Sequence, residues 1–136
     1  MRIGALRFWL VAAAVIALTA CTTAPLKQAA PVTVPAGLSH LQVQQAVVHA
    51  LEGRQWTLDN VGENVIDTTL HIREHTVTLK IDYDTTQVGL HYVSSTNLDY
   101  RSHGGHPTIH RNYNGWVNFV EQDIRRNLQN SKATDM

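Results

Sequence analysis

From Ser39 onward the apolar positions follow first one period and then another. Leu41, Val43, Ala46, Val47, Ala50 and Leu51 recur at three- and four-residue spacings, the stripe that an amphipathic helix buries. Ser39 and Gln42 have the spacing of a capping box, in which the hydroxyl accepts from a free N–H of the first turn and the amide side chain accepts from the cap N–H. Gly53 is placed to take the left-handed conformation that ends a helix. The pattern predicts a helix over residues 40–52.

The period then shortens to two. Trp56 and Leu58 open a short strand, and Val61-Gly62-Glu63-Asn64 forms a turn. Ile66, Thr68, Leu70 and Ile72 alternate with Asp67, Thr69, His71 and Arg73; Val77, Leu79, Ile81 and Tyr83 alternate with Thr76, Thr78, Lys80 and Asp82; Val88, Leu90 and Tyr92 alternate with Gly89 and His91. Such alternation marks antiparallel strands with one buried and one wet face. Short polar connections at Arg73-Glu74-His75 and Asp84-Thr85-Thr86-Gln87 suit hairpins. A polar loop is expected from Ser94 to Arg111, broken by Gly104-Gly105 and Pro107. Asn112 or Asn114 is then placed to cap a last helix carrying Val117, Val120, Ile124 and Leu128, with Trp116 and Phe119 widening its apolar face. These elements predict an α+β fold, a two-layer sandwich in which an N-terminal helix and a C-terminal helix pack on the same face of an antiparallel meander of three to four strands. The domain is assigned to residues 39–130, with a frayed tail at 131–136.

Residues 1–20 read differently. Arg2 and Arg7 flank an apolar run of eleven residues, Phe8 to Leu18, which as a helix spans about 16 Å of a bilayer core about 30 Å thick. That length and charge suit a signal peptide. Leu18-Thr19-Ala20-Cys21 resembles the bacterial lipobox. The resemblance implies cleavage before Cys21, a diacylglycerol on its thiol and an acyl chain such as palmitate on the new amino group. The other reading is an ordinary secretory signal cleaved after Ala20, leaving a free thiol. Cys21 is the only cysteine, and lipidation would consume a thiol that an exported protein otherwise leaves unpaired. Thr22, where an Asp would favour inner-membrane retention in enterobacteria-like sorting, points to the outer membrane with the domain facing the periplasm. Pro25, Pro31 and Pro35 make residues 21–38 read as a lipidated, proline-rich tether reaching about 50 Å; the alternative is that part of it adds an edge strand.

The stretch Trp56 to Leu128 carries Ile81-Asp82-Tyr83-Asp84, Tyr92, Ser95 with Asn97-Leu98 and Tyr100, and the run Ile109-His110-Arg111-Asn112-Tyr113-Asn114-Gly115-Trp116-Val117. Together with the lipobox it resembles a family of small uncharacterised bacterial lipoproteins. The resemblance implies an architecture and an envelope location, and no mechanism.

Charge narrows the classes further. Losing residues 1–20 removes Arg2 and Arg7 and leaves nine basic against eleven acidic side chains, a net charge of −2 with histidine neutral. A nucleic-acid partner has no electrostatic support at that value. Ser94, Ser95 and Ser102 lack the glycine frame of a nucleophile elbow, and Gly104-Gly105 alone is a weak phosphate loop, so no enzyme is expected. Two readings remain. One is a non-catalytic module that binds an envelope protein or component through the loop carrying Tyr100, His110, Asn112, Tyr113 and Trp116, or through a sheet edge. It needs no cofactor beyond the covalent lipid at Cys21. The alternative is a metal-binding lipoprotein, because His103, His106 and His110 stand as H-x2-H-x3-H and imidazole is a good ligand for zinc, copper or nickel. His71 and His91 share the wet face of the sheet but are expected about 9–10 Å apart.

Overall fold

The computed structural model describes residues 22–136; Cys21 and the expected signal peptide lie outside the described residues. Among the described residues the fold is α+β, with two helices and two antiparallel sheets. The larger sheet has the order β2-β6-β5-β4-β3, from β2 (Val32–Thr33), β3 (Thr57–Val61), β4 (Val65–Ile72), β5 (His75–Tyr83) and β6 (Gln87–Thr96). The smaller has the order β1-β8-β7, from β1 (Thr23–Pro25), β7 (Arg101–His103) and β8 (His106–His110). The helices are α1 (His40–Gly53) and α2 (Asn112–Thr134). Among the described residues no helix is long and apolar enough to cross a membrane.

Local chemistry explains the helix ends. Ser39 Oγ accepts from Gln42 N–H at 3.1 Å while Gln42 Oε1 accepts from Ser39 N–H at 2.8 Å, the expected capping box. The other end departs from expectation. Gln55, at φ 64°, takes the left-handed conformation, and Trp56 N–H donates to Leu51 O at 3.0 Å. Gly53 stays within the helix; the reversal comes two residues later, where it delivers Trp56 into the core at 3% exposure. Leu41 also leaves the expected stripe and is exposed, whereas Val43, Ala46, Val47, Ala50 and Leu51 are buried. No side chain of Asn112 or Asn114 caps α2; Asn112 N–H donates instead to His110 Nδ1 at 3.2 Å.

The meander forms as the alternation predicts, β3 through β6 pairing in sequence order. Ile66, Leu70, Val77, Leu79, Ile81, Tyr83, Val88 and Leu90 turn into one core, joined by Val117, Val120, Ile124 and Leu128 of α2. Burying an aliphatic or aromatic side chain of this kind contributes about 1.5–3 kcal/mol, so these rows dominate the stability. Thr68 is buried among them because its hydroxyl donates to Thr57 O at 2.7 Å. Asp123, 7% exposed on α2, is held by Arg54 at 2.7 Å and Arg126 at 2.6 Å. The Arg54 hydrogen bond in particular keeps its carboxyl below the usual aspartate range.

Two boundaries differ from the sequence reading. The proline-rich stretch is no free tether: Thr23–Pro25 pairs with β8, Val32–Thr33 pairs with β6, and Val32, Val34 and Leu38 are buried. Both strands lie at sheet edges, where a residue without an N–H is tolerated. The expected frayed tail is also largely helix, since α2 continues to Thr134 with Ser131 and Thr134 bonding carbonyls one turn back.

Candidate functional site

The segment expected as a loop folds into the β7–β8 hairpin. Gly104 and Gly105, at φ 58° and 78°, form its two-residue turn, a conformation that glycine adopts without Cβ strain. Leu98 is buried just before it and its carbonyl accepts from His110 N–H at 2.7 Å. The hairpin thereby stands beside the free end of β6, and Tyr100 stacks on Tyr92 with ring centroids 4.7 Å apart. Tyr113 meets Tyr92 edge-on at 5.6 Å from within the core. Burial pushes the Tyr92 and Tyr113 phenols above the ordinary range. Tyr92 Oη lies 2.8 Å from Ser95 Oγ.

Between the two sheets Tyr92 and Tyr100 wall a cleft of about 410 Å³, lined also by Leu26, Lys27, Ala29, Pro31, Leu90 and Pro107. Its rim is fixed by α2. Asn114 Oδ1 accepts from Lys27 N–H at 2.9 Å, and Asn114 Nδ2 donates to Pro25 O at 3.0 Å. Lys27 Nζ bonds Asn118 and pairs with Glu121 at 2.9 Å. Burial of Glu121 works against its charge, but hydrogen bonds from Arg125 and Lys27 prevail and hold its carboxyl below the usual range. The cleft is of ligand size and combines aromatic faces with a few polar groups.

The five residues expected to form an interaction loop are divided by the fold. Tyr100 is exposed in the cleft wall, Asn112 is exposed at the start of α2, and His110 is half-buried as acceptor for that helix. Tyr113 is core, and Trp116 packs half-buried against the core with its ring 6.4 Å from His75. Trp116 instead lines a second, smaller hollow of about 170 Å³ with Trp56, His71 and exposed Phe119, over whose ring the Arg54 guanidinium sits at 4.8 Å. A hollow of about 420 Å³ near Asn64 and Gln87 is a shallow turn: Asp84 spends its carboxylate on Thr86 and Gln87.

The histidines do not converge. His103 and His106 face each other across the hairpin turn, while His110 lies at the other end of β8 opposite Thr23. Four residues of strand separate His106 from His110 by about 13 Å, beyond joint ligation of one ion. His71 pairs with Thr76 and His91 with Lys80, so these two stand in different rows of the sheet. His91 instead bonds Asp82 at 2.7 Å. Among the described residues no three His, Cys, Asp or Glu side chains gather as a metal-holding group.

Sequence reasoning missed the contributions of Leu26, Lys27 and Pro31, because a proline-punctuated stretch without apolar period gives no strand signal. The alternation Val32-Thr33-Val34 was the available clue, and the edge-strand alternative was the reading it supported. No protein-family model matches this chain, and neither a curated protein nor a solved structure does.

Proposed function

We propose that this chain is a lipid-anchored bacterial envelope protein, held at the outer membrane and facing the periplasm, whose domain is a non-catalytic module that binds another envelope protein through the cleft at Tyr92 and Tyr100. In this reading both helices cover the same face of the five-stranded sheet as a two-layer sandwich, which leaves the opposite face and the inter-sheet cleft open. The binding half of the reading is carried by one observation: an aromatic-walled cleft of about 410 Å³ whose rim is pinned to α2 by Asn114 and Lys27. Pre-organised clefts lose less ordering entropy on binding than flexible loops.

The anchoring half rests on Leu18-Thr19-Ala20-Cys21. It has a geometric consequence. Thr22 O accepts from Arg111 N–H at 2.9 Å and Thr23 is already paired with His110, so the chain between a lipidated Cys21 and the folded domain spans about 7 Å at most. The domain would ride on the bilayer surface with the start of α2 next to the headgroups, in place of standing off on a long tether.

Intact mass and membrane fractionation of the native protein beside a Cys21→Ser variant test the anchor: a mass gain of acyl chains, lost in the variant together with membrane retention, is the expected result. A photo-crosslinking amino acid at position 100, with one at exposed Gln129 as control, tests the module in living cells. A specific adduct at position 100 alone is expected; the same adducts at both positions, or none, would remove the binding reading.

A further inference from the structure

Strand β6 is covered on one side and bare for most of the other. β5 pairs with it from Val88 to Thr96, but β2 reaches only Gln87 and Val88. The direction of each peptide group follows from two hydrogen bonds. Val34 N–H donates to Thr86 O at 2.9 Å, so even-numbered residues of β6 up to Tyr92 face the β2 side; Asp84 N–H donates to Gln87 O at 3.1 Å, so odd-numbered ones face β5 until the register shifts after Tyr92. Strict alternation along an antiparallel ladder then aims the N–H and C=O of Leu90 and Tyr92 past the end of β2 and into the cleft.

The chain that could have closed this edge is drawn elsewhere. Leu26 N–H bonds Pro107 O of β8 at 2.9 Å, and Lys27 N–H is taken by Asn114 of α2. Among the described residues no backbone group bonds Leu90 or Tyr92 on this side. Leu90 as a whole is only 7% exposed, so its outward peptide groups meet water only through the cleft, where an incoming backbone can take over their hydrogen bonds. Two donor–acceptor pairs one strand repeat apart are matched by an extended peptide backbone. A sugar ring or small aromatic would use Tyr100 and leave both pairs unmet.

We infer that the cleft accepts an extended peptide segment of a partner protein as an added strand on β6, hydrogen-bonded to Leu90 and Tyr92, with its alternate apolar side chains against Leu26 and Tyr100. This deepens the binding reading above and rests on it. Specificity comes from those alternate side chains, and proline is excluded from the positions that donate to β6.

Amide exchange by NMR on the full lipidated chain in detergent micelles tests the bare edge first. In the free protein the amides of Leu90 and Tyr92 exchange about 100-fold faster than those of Gly89 and His91, which the β5 ladder protects. Displayed random dodecapeptides are then selected against the same protein, and the best peptide is made in two forms, N-methylated on one or the other set of alternate backbone nitrogens. The peptide slows the Leu90 and Tyr92 amides; one methylated form loses about ten-fold or more in affinity and the other keeps it. Ala29→Trp, which fills the cleft from a half-buried position in its wall, and Tyr100→Ala both weaken binding. Equal protection of all four amides in the free protein would show the edge already closed by residues 28–30 and overturn the inference, as would equal binding of the two methylated forms or no selection above the Ala29→Trp protein. A specific crosslink from position 100 alongside any of these failures preserves the binding module and sinks only strand addition; loss of the crosslink sinks the module itself.

Discussion

Replacing Asn114 by Ala removes the side chain that joins β1 and the cleft rim to α2. Asn114 accepts from Lys27 N–H at 2.9 Å and donates to Pro25 O at 3.0 Å. Each hydrogen bond contributes about 0.5–1.5 kcal/mol net, so the pair contributes about 1–3 kcal/mol. Ala is the better helix former by about 0.6 kcal/mol, which leaves a net local loss of about 0.5–2.5 kcal/mol. The loss falls on β1, whose other holds are the short ladder to β8 and the Lys27–Glu121 pair. Converted to an opening equilibrium it raises exchange at the Leu26 and Lys27 amides by about 2- to 70-fold. Native-state hydrogen exchange reads this directly, with the amides around Val120, fully buried in α2, as the unaffected reference. Asn114→Asp keeps the acceptor and loses the donor, so it should fall between. Exchange at Leu26 and Lys27 unchanged in Asn114→Ala would refute the argument that α2 holds the strand; equal acceleration at Val120 would refute its locality.

Leu79→Ala empties the centre of the sheet, where Leu79 is fully buried, and should lower unfolding free energy by about 2–5 kcal/mol in urea titration; a loss below about 1 kcal/mol would contradict the assigned core. The Asp123 carboxyl is held below its ordinary value of 3.8 by Arg54, so its contribution is present above that value and disappears as pH falls through the lowered folded-state value. Asp123→Asn should therefore reduce the melting temperature at neutral pH and flatten the acid limb below about pH 4, and an acid limb as steep as the native one would deny Asp123 this role. Changing His103, His106 and His110 together to Ala should leave zinc uptake by equilibrium dialysis unchanged, since the strand holds His106 and His110 about 13 Å apart; one zinc per native chain, lost in the triple variant, would overturn that geometry.

The candidate site was only partly legible in sequence. Tyr100 falls in the cleft, but Tyr113, a residue of the same type in the same stretch, is 2% exposed. Nothing local distinguishes them: both are aromatic residues in polar surroundings, and only tertiary packing turns Tyr113 inward, where it meets Tyr92 edge-on. Gly104-Gly105 carried a recognisable hairpin signal, obscured because Arg101-Ser102-His103 and His106-Pro107-Thr108 lack apolar alternation. They lack it because the small sheet is exposed there.

The capping box at Ser39 and Gln42, the stripes of α1 and α2 and the alternation of β4, β5 and β6 are determined by the sequence itself, since each depends on neighbours within one turn or one strand repeat. The tertiary structure alone decided the rest. Residues 23–25 and 32–33 become strands because distant partners, β8 and β6, offer edges and because Val32 finds a buried place. Gln55 reverses the chain where glycine was available two residues earlier, since that is where Trp56 meets the core. The bare edge at Leu90 and Tyr92 likewise has no local signature; it exists because Leu26 and Lys27 are bound to β8 and α2, more than eighty residues further along the chain. Interactions over such separations depend on which surfaces the whole fold brings together, and a one-dimensional pattern does not carry that information.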